Sequence, residues 1–404
     1  MTMHAASAKL DATSAFVDTK PIVEAVLREP WEYTEADTQH LTHNIHRYSG
    51  KFIPQIAGRV IGLVTQPGEL VVDPYCGSGT TLVEAALLRR RALGLDLNPL
   101  AVLIARVKIT PVARKELDAL RRHLEGALSE RTNDSLPLFR SASVSGSVAS
   151  DPRCSDEWFR KWFQPAILAD LIAIDQAIAA VRNTTLQDIA RVAFSDILRR
   201  SSNAHSGYPN VTFHKDAPPR TPPLRPFLKA LDRACEMVSS LDSVEAHWSD
   251  VCARRGNAVA VPLDDSSADA VVSHPPYVGS IPYAEYGALS LKWLGFDPRQ
   301  LDRELTGGRR QSPDVLERFR EGYCQMLRES ARVLKPGRFV FLIVGNPVVR
   351  GELIDLPEMT TDLAVTAGLR LVVRAQRQGV NRRANKMGCE HLLFFQKPPT
   401  VAPR

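Results

Sequence analysis

The pattern of apolar and polar positions is strongest over residues 68–99. A short apolar run, LVV, predicts a buried strand that ends at Asp73. The glycine-containing segment DPYCGSG follows, then the helical segment TTLVEAALLRR, then a second apolar run that ends in Asp96. This order of strand, turn, helix and strand predicts the opening of a doubly wound α/β fold.

Weaker patterns lie on the N-terminal side of this unit. Residues 1–43 predict an irregular leader with one short helix near residues 22–28. Residues 46–64 predict a loop and then a helix, because apolar residues recur every three or four positions and Pro54 suits a first helical turn.

Residues 114–250 have a different character. Long helical patterns dominate, and a serine-rich run at 140–150 and a Pro- and Ser-rich stretch at 201–226 interrupt them. We interpret this region as a largely helical insertion. By elimination, it is the candidate region for target recognition.

The alternation of strands and helices returns after residue 250. A strand is predicted before His274, and residues 316–337 predict a helix that Pro336 and Gly337 end. Two late strands, over 369–377 and 390–397, are able to pair antiparallel. The predicted organisation is a leader, a Rossmann-like sheet domain in two parts and a helical insertion, over residues 1–43, 44–113 with 251–398, and 114–250.

Composition adds limited information. The chain has 404 residues, 44% of them hydrophobic, and a formal net charge of +6, which favours a polyanionic partner only weakly. Its six cysteines form no C-x-x-C pair, so we expect free thiols in a reducing compartment. Neither a signal peptide nor a long apolar run is visible, so we expect a cytoplasmic protein without a membrane partner and without a metal.

The turn after Asp73 indicates a nucleoside site. Gly77 and Gly79 allow a ligand to approach the backbone closely, and an acidic residue at the end of the next strand, Asp96, can accept hydrogen bonds from both ribose hydroxyls. The third glycine of a dinucleotide fingerprint is missing, and no G-K-[ST] follows, so the turn is not a phosphate-gripping loop.

These segments resemble those of the DNA amino-methyltransferases, which methylate N4 of cytosine or N6 of adenine with S-adenosylmethionine. DPYCGSGTTLVEAALLRRRALGLDLNP is similar to their D-P-F-x-G-S-G-T turn and acidic strand end, and VVSHPPY is similar to their [S/N/D]-P-P-Y catalytic loop. HRYSGKFIPQIAGRVI is similar to the segment that closes over the methionine end of the cofactor. The resemblance covers residues 44–110 and 250–397.

The resemblance implies a methyltransferase sheet, S-adenosylmethionine as cofactor and a set of cofactor-binding residues. Asn257 lies where the family has a G-D-A contact to the adenine, and we expect Cys76 to be an apolar filler rather than a nucleophile. The implied cofactor-binding residues are Lys51, Phe52, Asp73, Tyr75, Cys76, Gly77, Gly79, Thr80, Thr81, Asp96, Asn98 and Asn257.

The resemblance assigns catalysis to His274, Pro275, Pro276 and Tyr277. A base amine is a poor nucleophile because its lone pair is delocalised, so acceptors aimed at its hydrogens favour the reactive form. In the family these acceptors are the first loop side chain and the first proline carbonyl, here His274 and Pro275. The two prolines fix the backbone, and Tyr277 offers a flat face to a base flipped out of the duplex.

His274 departs from the family, which has Ser, Asn or Asp at this position. Neutral imidazole has one acceptor nitrogen and the protonated ring has none, so we predict that activity falls as the pH drops through the histidine titration. N4 of cytosine is favoured because SHPPYVGSIPYAEY resembles the S-P-P-Y members, and N6 of adenine stays open.

Three basic segments, 199–229, 307–311 and 374–386, are candidates for phosphate contacts, although each is also compatible with a solvated face. Tyr283 and Tyr286 either line the base pocket or pack under it. The predicted partner is double-stranded, sequence-specific DNA, with or without a companion restriction nuclease. The predicted nucleic-acid-binding residues are Tyr283, Tyr286, Arg220, Arg225, Arg309, Arg310, Arg382, Arg383 and Lys386.

Two other functions stay open from the sequence. Some RNA guanine methyltransferases have similar D-P-P-Y loops, but no separate RNA-binding module is visible here. A cofactor-binding protein without catalysis is favoured only by His274. A dehydrogenase is disfavoured, because the third glycine is missing and the H-P-P-Y loop would have no role.

Overall fold

The computed structural model describes residues 19–129, 146–207, 210–279, 281–307, 312–378 and 388–399. Nine strands are present in this part of the chain. In chain order they are β1 (Leu70–Asp73), β2 (Arg91–Asp96), β3 (Val251–Arg255), β4 (Ala268–Ser273), β5 (Leu334–Gly345), β6 (Val348–Val349), β7 (Glu352–Leu353), β8 (Arg370–Gln378) and β9 (Cys389–Gln396).

Seven of these strands form one sheet in the order β3-β2-β1-β4-β5-β9-β8. The strands from β3 to β5 pair in parallel, and β9 pairs antiparallel with both β5 and β8. The predicted doubly wound, Rossmann-like sheet is therefore confirmed, as is the antiparallel pairing of the last two strands. The strand order reverses between β1 and β4, and the crevice outside the carboxyl ends there is where such sheets bind ligands.

Helices cover both faces of the sheet. In chain order they are α1 (Lys20–Arg28), α2 (Pro54–Val64), α3 (Thr80–Leu87), α4 (Pro99–Lys108), α5 (Arg114–Ser129), α6 (Gly146–Ala149), α7 (Glu157–Trp162), α8 (Pro165–Ala179), α9 (Thr184–Ser201), α10 (Leu224–Ser240), α11 (Tyr283–Tyr286), α12 (Ala288–Trp293), α13 (Pro298–Glu304), α14 (Val315–Val333) and α15 (Leu356–Thr366).

The apolar residues of the sheet form two clusters. One joins the sheet to α14 and α15, whose apolar stripes include Phe319, Tyr323 and Leu363. The other joins the opposite face to α2 and α3 and includes Ile56 and Leu82. Strand β1 is buried along its whole length, as expected for a central parallel strand covered on both faces.

Between α4 and β3 the described residues are mainly helical, with one isolated β-bridge. Helices α5, α8, α9 and α10 share a third apolar cluster, which also includes residues of α4 and α12. This cluster connects the helical segment to the sheet domain beside the C-terminal end of β2.

Some local expectations were wrong or incomplete. The helix predicted to end at Pro336 and Gly337 ends at Val333, and β5 begins at Leu334 with an irregular register against β4. Strand β3 and the β6–β7 hairpin have no counterpart in the prediction. All six cysteines lie in the described ranges and are free, as expected. Among the described helices, none is both long and apolar enough to cross a membrane.

Candidate active site

The turn after β1 is built by hydrogen bonds to the Asp73 carboxylate. Oδ1 of Asp73 accepts from the Tyr75 backbone N–H at 3.1 Å and from the Ser273 hydroxyl at 2.6 Å. Since Ser273 ends β4, this second bond joins the glycine turn to the strand that leads into the H-P-P-Y loop. The two predicted motifs therefore meet at the reversal point of the sheet.

Asp96, at the end of β2, closes the other side of the turn. Its carboxylate accepts from the Gly77 N–H at 3.0 Å and from the Asn98 N–H at 2.8 Å, and the Asn98 side chain caps α4. Burial raises the pKa of both the Asp73 and Asp96 carboxyls to about 6. The buried Asp73 carboxylate and the partly exposed Asp96 carboxylate face one space, which suits a cationic ligand.

A cavity with about 760 Å³ of space outside protein atoms, including its mouth, opens at this point. Most of the predicted cofactor residues line it, namely Lys51, Phe52, Asp73, Tyr75, Cys76, Gly77, Thr80, Thr81, Asp96 and Asn98. Gly79 and Asn257 do not. The Asn257 side chain is exposed and accepts from the Val259 N–H within its own loop, while its neighbours Gly256 and Ala258 line the cavity.

Gly79 has a structural role behind the cavity. Its φ of +81° lies in the left-handed region, and a Cβ there would stand 2.8 Å from the Cβ of Ala105. The glycine therefore permits both the turn and the close packing of α3 on α4.

The cavity also has two wall residues that the sequence prediction missed, Tyr48 and Thr306. Tyr48 stacks on the predicted Tyr283 with ring centroids 6.0 Å apart, and both rings line the cavity. Thr306 lines it too and accepts a hydrogen bond from the Tyr75 hydroxyl at 3.1 Å. Tyr48 lies in the quoted segment HRYSGKF, so its position before Lys51 was the available signal.

A cluster of polar side chains holds the segment that contains Lys51. Lys51 Nζ donates to the His43 carbonyl, and His43 Nε2 lies 2.9 Å from Glu84 Oε1. His40, His43 and Glu84 bring possible ligand atoms within 4.8 Å of one another. We assign no metal to them, because Glu84 already binds both imidazoles and Lys108 Nζ lies 3.4 Å from His43 Nδ1.

In the H-P-P-Y loop, His274 and Pro276 line the cavity, whereas Pro275 and Tyr277 do not. His274 Nε2 lies 2.9 Å from the Tyr277 hydroxyl, and His274 Nδ1 is buried without a hydrogen-bond partner among the described residues. The Tyr277 side chain is 7% exposed and belongs to an apolar cluster. The face of Tyr277 expected to stack on a base is therefore packed against the protein.

The predicted nucleic-acid-binding residues are dispersed. Tyr283 lines the cavity and Tyr286 does not. Arg220 is half-buried and donates to the Ala204 carbonyl, and Arg225 is exposed. The remaining predicted residues, Arg309, Arg310, Arg382, Arg383 and Lys386, lie outside the described residues.

Two arginines of the third basic segment bind other side chains of the protein. Arg377 is buried and forms a 2.9 Å ion pair with Glu390, and Arg374 donates to His391 Nδ1 at 3.0 Å. Strand pairing brings these partners together, since Arg377 lies directly opposite Glu390 in the sheet. The sequence offered no signal for the pair beyond an isolated glutamate in a late strand.

The matching family model describes a DNA methylase, and two similar curated proteins are Type II methyltransferases. Residues 20–106 match the model of the N6/N4 methyltransferase family, described as DNA methylase. The chain is 25% identical to the Type II methyltransferase M.MvaI of Kocuria varians, over 83% of this chain and 82% of that protein. It is 23% identical to the Type II methyltransferase M.MjaII of Methanocaldococcus jannaschii, over 85% of this chain and 78% of that protein.

Among solved structures, a SAM-dependent methyltransferase from Methanosarcina mazei matches 84% of this chain and 98% of that chain, at 12% identity and a TM-score of 0.33. A likeness this weak adds nothing to the sheet order, which establishes the fold by itself. The family match lies on the glycine turn and the two acidic strand ends that form the cavity. The chain therefore resembles the DNA amino-methyltransferases, and it is an S-adenosylmethionine-dependent enzyme of that kind.

Proposed function

We propose that the protein methylates an exocyclic base amine in double-stranded DNA at a specific sequence, with N4 of cytosine favoured over N6 of adenine. One observation carries the proposal: His274 and Pro276 line the same cavity as Asp73, Asp96 and the glycine turn. The loop implied to hold the base amine and the residues implied to hold the cofactor thus share one space.

The residues present fit the cofactor. S-adenosylmethionine, when bound, supplies an electrophilic sulfonium methyl group. Asp96 retains lone pairs beyond the two backbone N–H groups that it accepts, so it can also accept from ribose hydroxyls. The buried Asp73 carboxylate adds negative charge beside a cationic ligand, and Lys51 and Phe52 are assigned to the methionine end.

For the base, we assign one amine hydrogen to His274 Nδ1. From the resemblance, we assign the other to the carbonyl of Pro275, which is buried between the lining residues His274 and Pro276. Acceptors at both hydrogens localise the amine lone pair and stabilise the positive charge that develops on the nitrogen. Tyr283 lines the cavity and is only half-buried, whereas Tyr277 is buried, so we assign base stacking to Tyr283.

We keep the helical segment 114–250 as the proposed target-recognition region and the basic residues, Arg225 among them, as proposed phosphate contacts. A cytoplasmic location remains a further part of the proposal, which holds with or without a companion restriction nuclease. The exposure of the Arg225 side chain supports its assignment.

The test is mass spectrometry of nucleosides from DNA and from RNA, each incubated with the purified protein and methyl-labelled S-adenosylmethionine. We expect labelled N4-methylcytosine in DNA, and a loss of about 100-fold or more in rate for His274→Ala. Glu321→Ala is the control and should act as the wild type, because Glu321 is exposed on α14, outside the cavity lining and outside segment 114–250.

Each other result has a definite meaning. Labelled N6-methyladenine in DNA would replace cytosine with adenine as the target. Label found in RNA alone would reject DNA as the substrate. A protein that binds the cofactor in calorimetry but labels no nucleic acid would reject methyl transfer to a base.

A further inference from the structure

The two ring nitrogens of His274 have different surroundings. Nε2 lies 2.9 Å from the Tyr277 hydroxyl, whereas Nδ1 is buried and has no hydrogen-bond partner in the described ranges. A neutral imidazole carries its single proton on one nitrogen and a lone pair on the other. Which nitrogen holds the proton therefore decides whether the free position is an acceptor or a donor.

The contact between His274 and Tyr277 is linked to two further buried side chains of the sheet, Glu390 and Arg377. The Tyr277 hydroxyl donates to Glu390 Oε1 at 3.3 Å, and Glu390 Oε2 accepts from Arg377 Nη1 at 2.9 Å. Glu390 and Arg377 are only 7% and 6% exposed, and they are paired across β9 and β8. A carboxylate paired with a guanidinium accepts hydrogen bonds and does not donate them.

Glu390 sets the direction of each hydrogen bond. Because the Glu390 carboxylate only accepts, the single proton of the Tyr277 hydroxyl points toward Glu390. The Tyr277 oxygen then has only lone pairs to offer to His274, so Nε2 must carry the imidazole proton. The lone pair is left on Nδ1.

We propose that Glu390, acting through Tyr277, holds His274 in the tautomer protonated on Nε2, so that Nδ1 accepts one hydrogen of the base amine. Tyr277 and Glu390 are then positioning residues, and Arg377 holds Glu390 in place. The inference rests on the proposed function for the identity of the group that Nδ1 meets. It explains why a histidine can replace the Ser, Asn or Asp of the resemblance, which need no tautomer control to present an acceptor oxygen.

The opposite tautomer would work against the reaction. A proton on Nδ1 would point a donor toward an amine whose hydrogens are also donors. It would also require the Tyr277 proton to turn toward His274, leaving Glu390 Oε1 without its buried partner.

The tautomer can be measured on the protein alone by long-range ¹H–¹⁵N correlation spectra with ¹⁵N-labelled histidine. The chain has ten histidines, and the signals that disappear in His274→Asn identify His274. Tyr277→Phe removes only the hydroxyl. Tyr323→Phe is the matched control, because Tyr323 is a buried tyrosine of the same apolar cluster whose hydroxyl contacts Thr360.

We expect the wild type and Tyr323→Phe to carry the His274 proton on Nε2, and Tyr277→Phe to lose that preference. With DNA substrate, Tyr277→Phe should lower kcat about tenfold, the effect of one hydrogen bond of roughly 1.4 kcal/mol, with the Kd for the cofactor unchanged. The inference would be overturned if His274 of the wild type carried its proton on Nδ1. It would also be overturned if Tyr277→Phe lost the preference for a proton on Nε2 and kept the kcat of the wild type. Failure of the wild type to methylate any nucleic acid would instead reject the proposed function, and the spectra distinguish the two cases.

Discussion

At the scale of single residues, two neighbours at the end of β4 have separate tasks. Ser273 is fully buried and binds Asp73, which joins the loop to the glycine turn. His274 follows it and faces the cavity. Side chains alternate across a strand, so this division follows from the pleat. The partners of Ser273 and His274 could not be predicted from the sequence.

The pH dependence of the reaction belongs to this scale. Burial lowers the pKa of His274 below its ordinary value, the carboxylate of Glu390 opposes this shift, and Arg377 adds to it. Because the neutral ring is the acceptor, we expect kcat/KM to stay high at neutral pH and to fall as the pH drops through a value below 6.5. A pH–rate profile measures this.

Asp73 and Asp96 also titrate in the acid range, so the profile needs a control. His274→Asn keeps an acceptor oxygen that does not titrate between pH 4 and 8. Its acid limb should lie at a different pH from that of the wild type. Identical acid limbs in the two proteins would assign the fall to the carboxylates, whose pKa values are about 6, and not to His274.

At the scale of elements, the turn between β1 and α3 depends on one glycine. Gly79→Ala would place a side chain at φ +81° and 2.8 Å from the Cβ of Ala105. Left-handed strain and overpacking together should lower the free energy of unfolding by about 2–4 kcal/mol. Urea denaturation of the purified variants measures the change.

Gly126 in α5 provides the matched control for this substitution. It is exposed in a helix, and a Cβ there would meet no atom within 4 Å. Gly126→Ala should raise the free energy of unfolding by up to about 1 kcal/mol, since alanine has the higher helix propensity. Equal effects at the two sites would show that the turn does not require glycine at Gly79.

The wrongly predicted helix end at Pro336 and Gly337 also belongs to this scale. Proline and glycine predict the end of a helix, but Leu334 is already paired with Ala268 in the sheet. The Gly337 N–H donates to the Lys397 carbonyl at 2.8 Å. The irregular register between β4 and β5 accommodates the proline in the strand. Pairing with distant residues decided the boundary, and a local pattern does not contain that information.

At the scale of the whole molecule, cofactor binding should stabilise the fold, because the cavity is made from residues far apart in sequence. S-adenosylmethionine at 100 times its Kd should add about 2.7 kcal/mol to the free energy of unfolding. Asp96→Ala should remove most of this gain. Thermal unfolding with and without the cofactor measures both effects.

Asp118→Ala is the control for that experiment. Asp118 is on the surface of α5, where it pairs with Arg114, and it lies outside the cavity lining. Its stabilisation by the cofactor should match that of the wild type. If the cofactor raised the free energy of unfolding of Asp96→Ala as much as that of the wild type, Asp96 would not be a cofactor-binding residue.

The sequence by itself determined the class of fold and the resemblance to the DNA amino-methyltransferases. Local patterns were enough for β1, α3 and β2, and the glycine turn and H-P-P-Y loop carried the resemblance, because both depend on residues adjacent in the chain. The tertiary structure alone decided which residues meet. The ion pair of Arg377 and Glu390, the burial of Tyr277 and the free Nδ1 of His274 arise from strand pairing and packing between distant segments. No local pattern encodes such contacts, since they depend on the register of the sheet and on the side chains that fill the space around it.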